Sequence, residues 1–183
     1  MLKKKKIDNV IIEASSHGLS QGRLNSINYK IGIFTNFSQD HLDFHKTMKS
    51  YLKSKLILFS KLMPKKSYVI SDKLIKEYSI LKRISKNKKF KLLDITKKLG
   101  EINKQSSWIN GTFQTKNLAM AIVAADLCGA KKINTENIMK NLKNIDGRLD
   151  LVKEYPNHVK VFVDYAHTPD ALAKAIKSLK SKY

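Results

Sequence analysis

One lysine lies where the helical pattern of this sequence calls for an apolar residue. Residues 47–62 (TMKSYLKSKLILFSKL) predict an amphipathic helix that begins after a capping threonine, Thr47. Its apolar stripe includes Tyr51 and Leu58, and Lys55 falls in the middle of that stripe. Because an unpaired buried ammonium is very costly, Lys55 must be paired, neutralised or chemically modified, unless it extends past its neighbours to water.

A cluster of acidic and histidine residues (DHLDFH, 40–45) comes shortly before this helix. His41 and His45 have the spacing of two ligands on one helix face, but two ordinary loop histidines explain the spacing as well. Glu13 is either a hard-cation ligand or a solvated strand end. A glutamate, a histidine and water suit Mg²⁺ better than structural zinc. A neutral Lys55 amine could add CO₂ and become a carbamate, an anion able to help hold Mg²⁺.

Strands and helices alternate along the chain, which indicates an α/β fold with a mostly parallel sheet. The strands are predicted at 7–14, 30–36, 67–71, 90–95, 149–152 and 159–164. Helices are predicted at 47–62, 114–128 and 135–142 and after the capping residue Thr168, with a helix or loop at 74–83 and a hairpin at 101–113 turning at Asn110-Gly111. Polar residues 15–18 are predicted as a loop.

Three strand ends carry side chains suited to chemistry. They are Glu13, the 40–45 cluster, and the Asp164 to His167 segment (DYAH). Ligands of open α/β sheets bind beyond the carboxyl ends of the strands, which favours one shared site. Ser15, Gln21 and Arg23 could bind an anionic sugar or phosphate, or could be ordinary loop residues.

Composition narrows the class of protein. The 183 residues carry a net charge of +21, but the lysines are spread along the chain and arginine is scarce, which is typical of a solvated lysine surface. The single cysteine, Cys128, is predicted to be a small core residue, and one cysteine excludes an internal disulfide. No apolar run approaches membrane-spanning length. We therefore expect a cytoplasmic protein that binds neither nucleic acid nor membrane.

Several long motifs resemble those of the Mur ligases that make UDP-N-acetylmuramoyl-tripeptide. Residues 13–23 (EASSHGLSQGR) resemble the family segment E-[VA]-S-S-H-G-L-x-Q-x-R, and residues 35–45 (TNFSQDHLDFH) resemble T-N-L-S-x-D-H-L-D-Y-H. Residues 114–121 (QTKNLAMA) are similar to the family's Phe-Asn-x-x-Asn-x-x-Ala helix. Gly147-Arg148 and residues 164–170 (DYAHTPD) match G-R-x-E and D-Y-A-H-T-P-D. The resemblance spans essentially the whole chain in the right order.

This resemblance implies an ATP-dependent amide ligase of peptidoglycan precursor synthesis. ATP would phosphorylate the D-glutamate carboxylate of UDP-MurNAc-L-Ala-D-Glu, and the amine of meso-diaminopimelate or L-lysine would attack the acyl phosphate. Transfer of the family's roles gives three groups: Ser15, Gln21 and Arg23 for the UDP-MurNAc substrate; Glu13, His41 and carbamylated Lys55 for Mg²⁺; and Asn117, Arg148, Asp164 and His167 for ATP. Phosphoryl transfer requires mainly positioning and charge neutralisation, which such a set could supply.

The departures from the family pattern bear on activity. The family's phosphate-binding loop and its Asn-Pro-Arg motif for the diamino acid do not occur in these residues, and Gln39 and Gln114 replace commoner residues. The resemblance implies a central ATPase-type domain over 1–147, lacking its P-loop strand, and the start of a Rossmann-like C-terminal domain over 148–183. We expect apolar surface to be exposed where that strand is missing, and we expect this chain alone not to turn over.

Three alternatives remain open from the sequence. One is a sibling ligase such as folylpolyglutamate synthetase, against which the SSHGLSQGR string argues. Another is a non-catalytic remnant that keeps the fold without the activity. The third is a basic nucleic-acid-binding module resting on the +21 charge, which scarce arginine disfavours.

Overall fold

A three-stranded parallel sheet forms the centre of the structure. The computed structural model describes residues 7–103, 111–130, 137, 141–142, 145–181 and 183. Strands β1 (Ile31–Phe34), β2 (Tyr68–Ser71) and β3 (Lys91–Asp94) are hydrogen-bonded in that order, and both pairs are parallel. The predicted α/β fold with a parallel sheet is confirmed. Because the strands run the same way, the residues that follow them gather at one edge.

Helices cover both faces of this sheet. In chain order they are α1 (Ser16–Ser20), α2 (Leu42–His45), α3 (Met48–Ile57), α4 (Tyr78–Lys88), α5 (Thr96–Asn103) and α6 (Thr112–Leu127). Successive residues of β2 point to opposite faces, so Val69 and Ile70 are both fully buried but belong to different apolar clusters. Val69 packs with Phe34 and Phe59 on the α3 and α4 side. Ile70 packs with α5 and α6 residues on the other side.

Helix α3 confirms that a helix follows Thr47, as predicted at 47–62, although its buried residues are Tyr51 and Ser54 and no continuous apolar stripe is buried. Thr47 caps it by accepting a hydrogen bond from the Ser50 N–H at 3.1 Å. After Ile57 the chain continues as a π-helical turn, Leu58–Leu62, whose Phe59 side chain packs on the sheet. Lys55 therefore lies just before a wider turn that is anchored to the core.

A second unit contains an antiparallel pair and a helix. Strands β4 (Asp150–Glu154) and β5 (Lys160–Val163) form this pair, and helix α7 (Pro169–Lys180) follows. Thr168 caps α7 by accepting from the Ala171 N–H at 3.3 Å, as the sequence predicts. Both strands are confirmed, although neither joins the parallel sheet among the described residues.

The strand predicted at 7–14 is wrong. This segment forms no strand ladder in the described part of the chain, and Ile11 is 98% exposed. A strand exists only through pairing with a neighbouring strand, and no described strand pairs with 7–14. Exposed apolar side chains at Ile7, Val10 and Ile12 agree with the expectation of uncovered apolar surface.

Smaller predictions also need correction. Residues 15–18 were expected as a loop, but Ser15 caps α1 and starts a helical turn. Cys128 is exposed and is not a core residue, because it lies at the end of α6 where that helix leaves the core. The hairpin predicted at 101–113 is wrong in its described parts, since α5 ends at Asn103 and α6 begins at Thr112.

Two expectations fall outside the described residues: most of the helix predicted at 135–142, and Asn110 of the predicted hairpin turn. The segment predicted as a helix or loop at 74–83 is a turn that leads into α4, and the helix predicted at 114–128 corresponds to α6. Among the helices that the structure describes, none is long and apolar enough to cross a bilayer.

Candidate functional site

Lys55 lies half-buried on α3, with its ammonium over the ring of Tyr51, one turn earlier in the same helix. The Nζ atom is 5.3 Å from the ring centroid, within the range of a cation–π contact. The same tyrosine ring meets the His41 imidazole edge-on, with 5.8 Å between centroids. Tyr51 thus connects the lysine of α3 with the histidine that precedes α2.

Two opposing effects act on the pKa of Lys55: burial of its side chain and the negative charges of two carboxylates. Burial lowers the pKa of Lys55, and the negative charges of Asp40 and then Glu13 act in the opposite direction. Burial, with a smaller contribution from Asp40, raises the pKa of Tyr51 to about 12, so this phenol stays protonated. The structure therefore places Glu13, in the segment before α1, and Lys55, on α3, within electrostatic reach of each other.

Asp40 holds His41 in an uncommon backbone conformation. His41 has φ 53° and ψ 29°, the left-handed region, which is disfavoured for residues other than glycine and asparagine. Its N–H donates to Asp40 Oδ1 at 2.8 Å, and its Nε2 lies 3.5 Å from Asp40 Oδ2. One carboxylate fixes both the backbone and the ring of the histidine.

Two further histidines extend this cluster. The His17 ring of α1 lies 4.9 Å from His41 and 5.4 Å from His45, centroid to centroid. His45 is buried and stacks on Tyr51, with 5.2 Å between centroids. An imidazole cluster therefore joins α1, α2 and α3 beside Lys55.

The predicted substrate residues lie around α1. The Ser15 hydroxyl accepts the Gly18 N–H at 3.1 Å, while the side chains of Gln21 and Arg23 are exposed just beyond the helix. The Arg23 N–H donates to the Gly18 carbonyl at 2.9 Å, which closes the turn. Ser15 and Arg23 thus flank a single short helix. One lone pair of the Ser15 hydroxyl is already used in the hydrogen bond that caps this helix.

Three of the predicted ATP-contacting residues lie together in the second unit. Asp164 accepts from the N–H groups of Leu149 and Ala166, both at 2.8 Å, so its carboxylate shapes the loop before α7. The Arg148 guanidinium lies over the Tyr165 ring, 4.8 Å from the centroid. His167 is exposed at the end of the same loop.

His167 also links the second unit to the first. Its Nε2 lies 4.0 Å from Asp40 Oδ2, the carboxylate that holds His41. Asn117 is exposed on α6, and no described contact joins it to this cluster. Its neighbour Lys116 forms an ion pair at 2.5 Å with the fully buried Asp72, which follows β2.

The donor set suits a magnesium ion only with help from other ligands. Among the described residues, no three histidine, cysteine or acidic side chains converge closely enough to form a complete metal cage. Mg²⁺ usually takes one or two protein carboxylates and completes its shell with water and phosphate oxygens. By family resemblance Glu13, His41 and a Lys55 carbamate would be the protein ligands of such an ion, and the negative charges of Asp40 and Glu13 would favour a cation beside Lys55.

Sequence reasoning missed two residues at this site. The sequence pattern places Tyr51 only in the apolar stripe and Asp40 only in the acidic cluster. The available signals were the four-residue spacing from Tyr51 to Lys55 and the position of Asp40 directly before His41.

The structure combines a parallel α/β sheet with a lysine, carboxylates and imidazoles that gather near one edge of that sheet. The class it defines is therefore an α/β protein with a charged site at the sheet edge. Comparison with protein families identifies it further. The Mur ligase middle domain matches residues 1–139, and the Mur ligase glutamate ligase domain matches residues 147–183. The chain belongs to the Mur ligase family.

Relatives and solved structures agree with this assignment. The chain is similar to UDP-N-acetylmuramoyl-L-alanyl-D-glutamate--2,6-diaminopimelate ligases from Wigglesworthia glossinidia brevipalpis (39% identical, 97% of this chain, 40% of the relative) and Rickettsia conorii (34%, 96% and 40%). A solved structure of a ligase of that name is 25% identical, with a TM-score of 0.64, and covers 92% of this chain and 39% of its own.

A structure of MurF from Acinetobacter baumannii shares the fold at 11% identity, with a TM-score of 0.63, over 84% of this chain and 38% of its own. The chain thus spans about 40% of the length of the curated relatives it matches.

Proposed function

We propose that these residues supply the metal site and part of the nucleotide and substrate sites of an ATP-dependent ligase of peptidoglycan precursor synthesis. The ligase joins 2,6-diaminopimelate to UDP-MurNAc-L-Ala-D-Glu through an acyl phosphate in the cytoplasm. The names of its 39% and 34% identical relatives support the substrate assignment. The observation that carries the proposal is Lys55, held half-buried between an aromatic ring and two carboxylates.

The environment of Lys55 suits carbamate formation. Burial lowers its pKa and so increases the fraction of neutral amine that can react, while the charges of Asp40 and Glu13 act in the opposite direction without cancelling this effect. The amine nitrogen attacks the carbon of CO₂, one C–N bond forms, and one proton leaves to solvent, which gives a carbamate anion. The positive charge over Tyr51 is thereby replaced by a negative charge that can ligate a cation together with Glu13 and His41.

Magnesium, when bound, supplies neutralisation of the charge on the transferring phosphoryl group. The chain's own residues would hold and orient the reactants. Asp40 fixes the His41 ring, and it also lies close to His167 of the second unit. Arg148 provides a cation and Asp164 fixes the loop that carries His167. Asn117 is assigned to ATP by family resemblance.

The substrate residues provide complementary polar groups at α1. Arg23 and Gln21 are exposed and free to bind an anionic sugar nucleotide, while Ser15 combines capping with a remaining lone pair. The division into a central domain over 1–147 and a C-terminal domain over 148–183 belongs to the same proposal.

Carbon-13 NMR tests the central step. With ¹³C-bicarbonate supplied, we expect one carbamate carbonyl signal from the purified chain, and we expect Lys55→Gln to abolish it. Lys53→Gln is the matched control, because Lys53 is an exposed lysine of the same helix, and it should keep the signal. A signal that survives in Lys55→Gln would contradict the proposal.

A further inference from the structure

A buried line of hydrogen bonds crosses the histidine cluster and joins three helices. His45 Nε2 lies 2.9 Å from the Ser16 hydroxyl of α1, and its Nδ1 lies 3.5 Å from the Ser54 hydroxyl of α3. Ser16, His45 and Ser54 are 3%, 5% and 8% exposed. A single imidazole therefore bridges the substrate-side helix and the helix that carries Lys55.

The direction of these hydrogen bonds follows from the neighbouring acceptors. The Ser54 hydroxyl donates to the Ser50 carbonyl at 3.1 Å, so it presents a lone pair to His45. Nδ1–H then donates to Ser54, and in the neutral ring Nε2 accepts the Ser16 hydroxyl. This neutral tautomer satisfies both ring nitrogens. Burial, followed by the charges of His17 and His41, lowers the pKa of His45, while Asp43 acts in the opposite direction.

The residues beside this line are those of the proposed site. Ser16 follows Ser15, and Ser54 precedes Lys55. The His45 ring also stacks on Tyr51, whose face carries the Lys55 ammonium. A displacement of His45 would therefore change contacts with both α1 and α3.

We propose that His45 is a positioning residue whose neutral imidazole fixes α1 against α3, and so sets the placement of the substrate residues relative to Lys55. This inference rests on the proposed function. Its role lies in the two hydrogen bonds and the stacking contact, and it touches no reacting atom.

Substitutions at His45 and Ser16 test the hydrogen bond to Ser16 separately from the hydrogen bond to Ser54. His45→Asn keeps a nitrogen near Nδ1 but loses the Ser16 contact, whereas His45→Gln places a polar atom near Nε2 and can keep it. Ser16→Ala removes the same contact from the other side. Ser85→Ala is the control, because Ser85 is equally buried on α4 and its hydroxyl has no hydrogen-bond partner among the described residues.

The first readout needs no ligand. Amide hydrogen exchange of residues 16–20 should become about fivefold faster in His45→Asn and in Ser16→Ala, the effect of losing one net hydrogen bond. Exchange there should stay near wild type in His45→Gln and Ser85→Ala, and exchange in β2 should not change in any variant. Unchanged exchange at 16–20 in both His45→Asn and Ser16→Ala would overturn the proposal.

The second readout tests the functional consequence by calorimetric binding of UDP-MurNAc-L-Ala-D-Glu to the full chain. We expect His45→Asn and Ser16→Ala to weaken binding about fivefold, with recovery in His45→Gln. Equal affinity in all variants would reject the positioning role. Failure of the wild-type chain to bind would instead count against the proposed function, and hydrogen exchange would still decide the role of His45.

Discussion

At the scale of single residues, Asp94 shows how one carboxylate couples stability to pH. It ends β3, where its Oδ1 accepts the Lys73 N–H at 3.1 Å and its Oδ2 lies 3.8 Å from Lys73 Nζ. Burial alone would raise the pKa of Asp94, but hydrogen bonds from Thr96 and Lys73 and the Lys73 charge outweigh it and lower the pKa. The folded state therefore favours the ionised form.

This shift gives a direction for the pH dependence. Because the unfolded chain binds the proton more readily, Asp94 stabilises the fold above its ordinary pKa of 3.8, and this contribution is lost as the pH falls through the lower folded value. We expect Asp94→Asn to reduce the free energy of unfolding by about 1 kcal/mol at neutral pH and to match wild type in acid.

Urea denaturation at several pH values measures the effect of Asp94→Asn. Asp126→Asn, which changes an exposed carboxylate on α6, serves as the control and should follow wild type throughout. Parallel pH curves for Asp94→Asn and wild type would show that the described hydrogen bonds do not hold the ionised form.

The candidate site was partly predictable at this scale. The spacing of apolar residues in 47–62 was enough to place Lys55 on the inward side of α3, because helical spacing fixes which positions share a face, but the structure shows Lys55 as half-buried rather than fully buried. The contact of Lys55 with Tyr51 and the reach of Asp40 depend on how α2 and α3 pack, which spacing alone does not determine. The roles of Asn117 and Arg148 remain predictions from family resemblance.

At the scale of elements, Gly32 allows the π-helical turn to lie against the sheet. A Cβ added at Gly32 would lie 2.5 Å from Met63 Sδ and 2.9 Å from Phe59 Cε1, both well inside van der Waals contact. Phe59 is almost fully buried, so it has little room to move away. A side chain at position 32 would push the π-helical turn away from β1.

We therefore expect Gly32→Ala to reduce the free energy of unfolding by about 1–3 kcal/mol through overpacking. Gly100→Ala is the matched control, because Gly100 lies in α5 with no atom within 4 Å of an added Cβ. That change should leave stability equal or raise it by up to about 1 kcal/mol, since alanine favours helix. Thermal or urea unfolding compares the two, and a Gly32→Ala protein as stable as wild type would contradict the packing described.

Elements with complete local signals were predicted well, and those that depend on neighbours were not. Thr47 and Thr168 predict the starts of α3 and α7, because capping depends only on residues next to each other in the sequence. The 7–14 segment has the composition of a buried strand, but a strand exists only through pairing. The antiparallel pairing of β4 with β5 likewise follows from topology and is not visible in their composition.

At the scale of the whole molecule, the proposed site is assembled from two units. Asp40 belongs to the first unit and His167 to the second, and they approach to 4.0 Å. The 183 residues contain no GxxxxGK[ST] sequence to hold the ATP phosphates. On the proposed function, these residues would hold the metal and part of the substrate without a P-loop of their own to position the phosphates.

We accordingly expect no phosphate release by this chain alone when it is given ATP, Mg²⁺, UDP-MurNAc-L-Ala-D-Glu and diaminopimelate. A coupled phosphate assay measures this, with the Haemophilus influenzae relative, 34% identical, as the positive control. Turnover by the isolated chain above the background of a Lys55→Gln preparation would refute the expectation.

At position 41, the residue that best fits the left-handed backbone differs from the residue that the proposed metal site requires. Glycine adopts φ 53° without the left-handed penalty of about 1–2 kcal/mol, and its greater chain entropy in the unfolded state offsets about 0.5–1 kcal/mol of that gain, so His41→Gly would favour the folded state by up to about 1 kcal/mol. A library selected only for expression or thermal tolerance would therefore enrich glycine or asparagine at residue 41. The clones recovered would be robust proteins that had lost an imidazole from the proposed metal site.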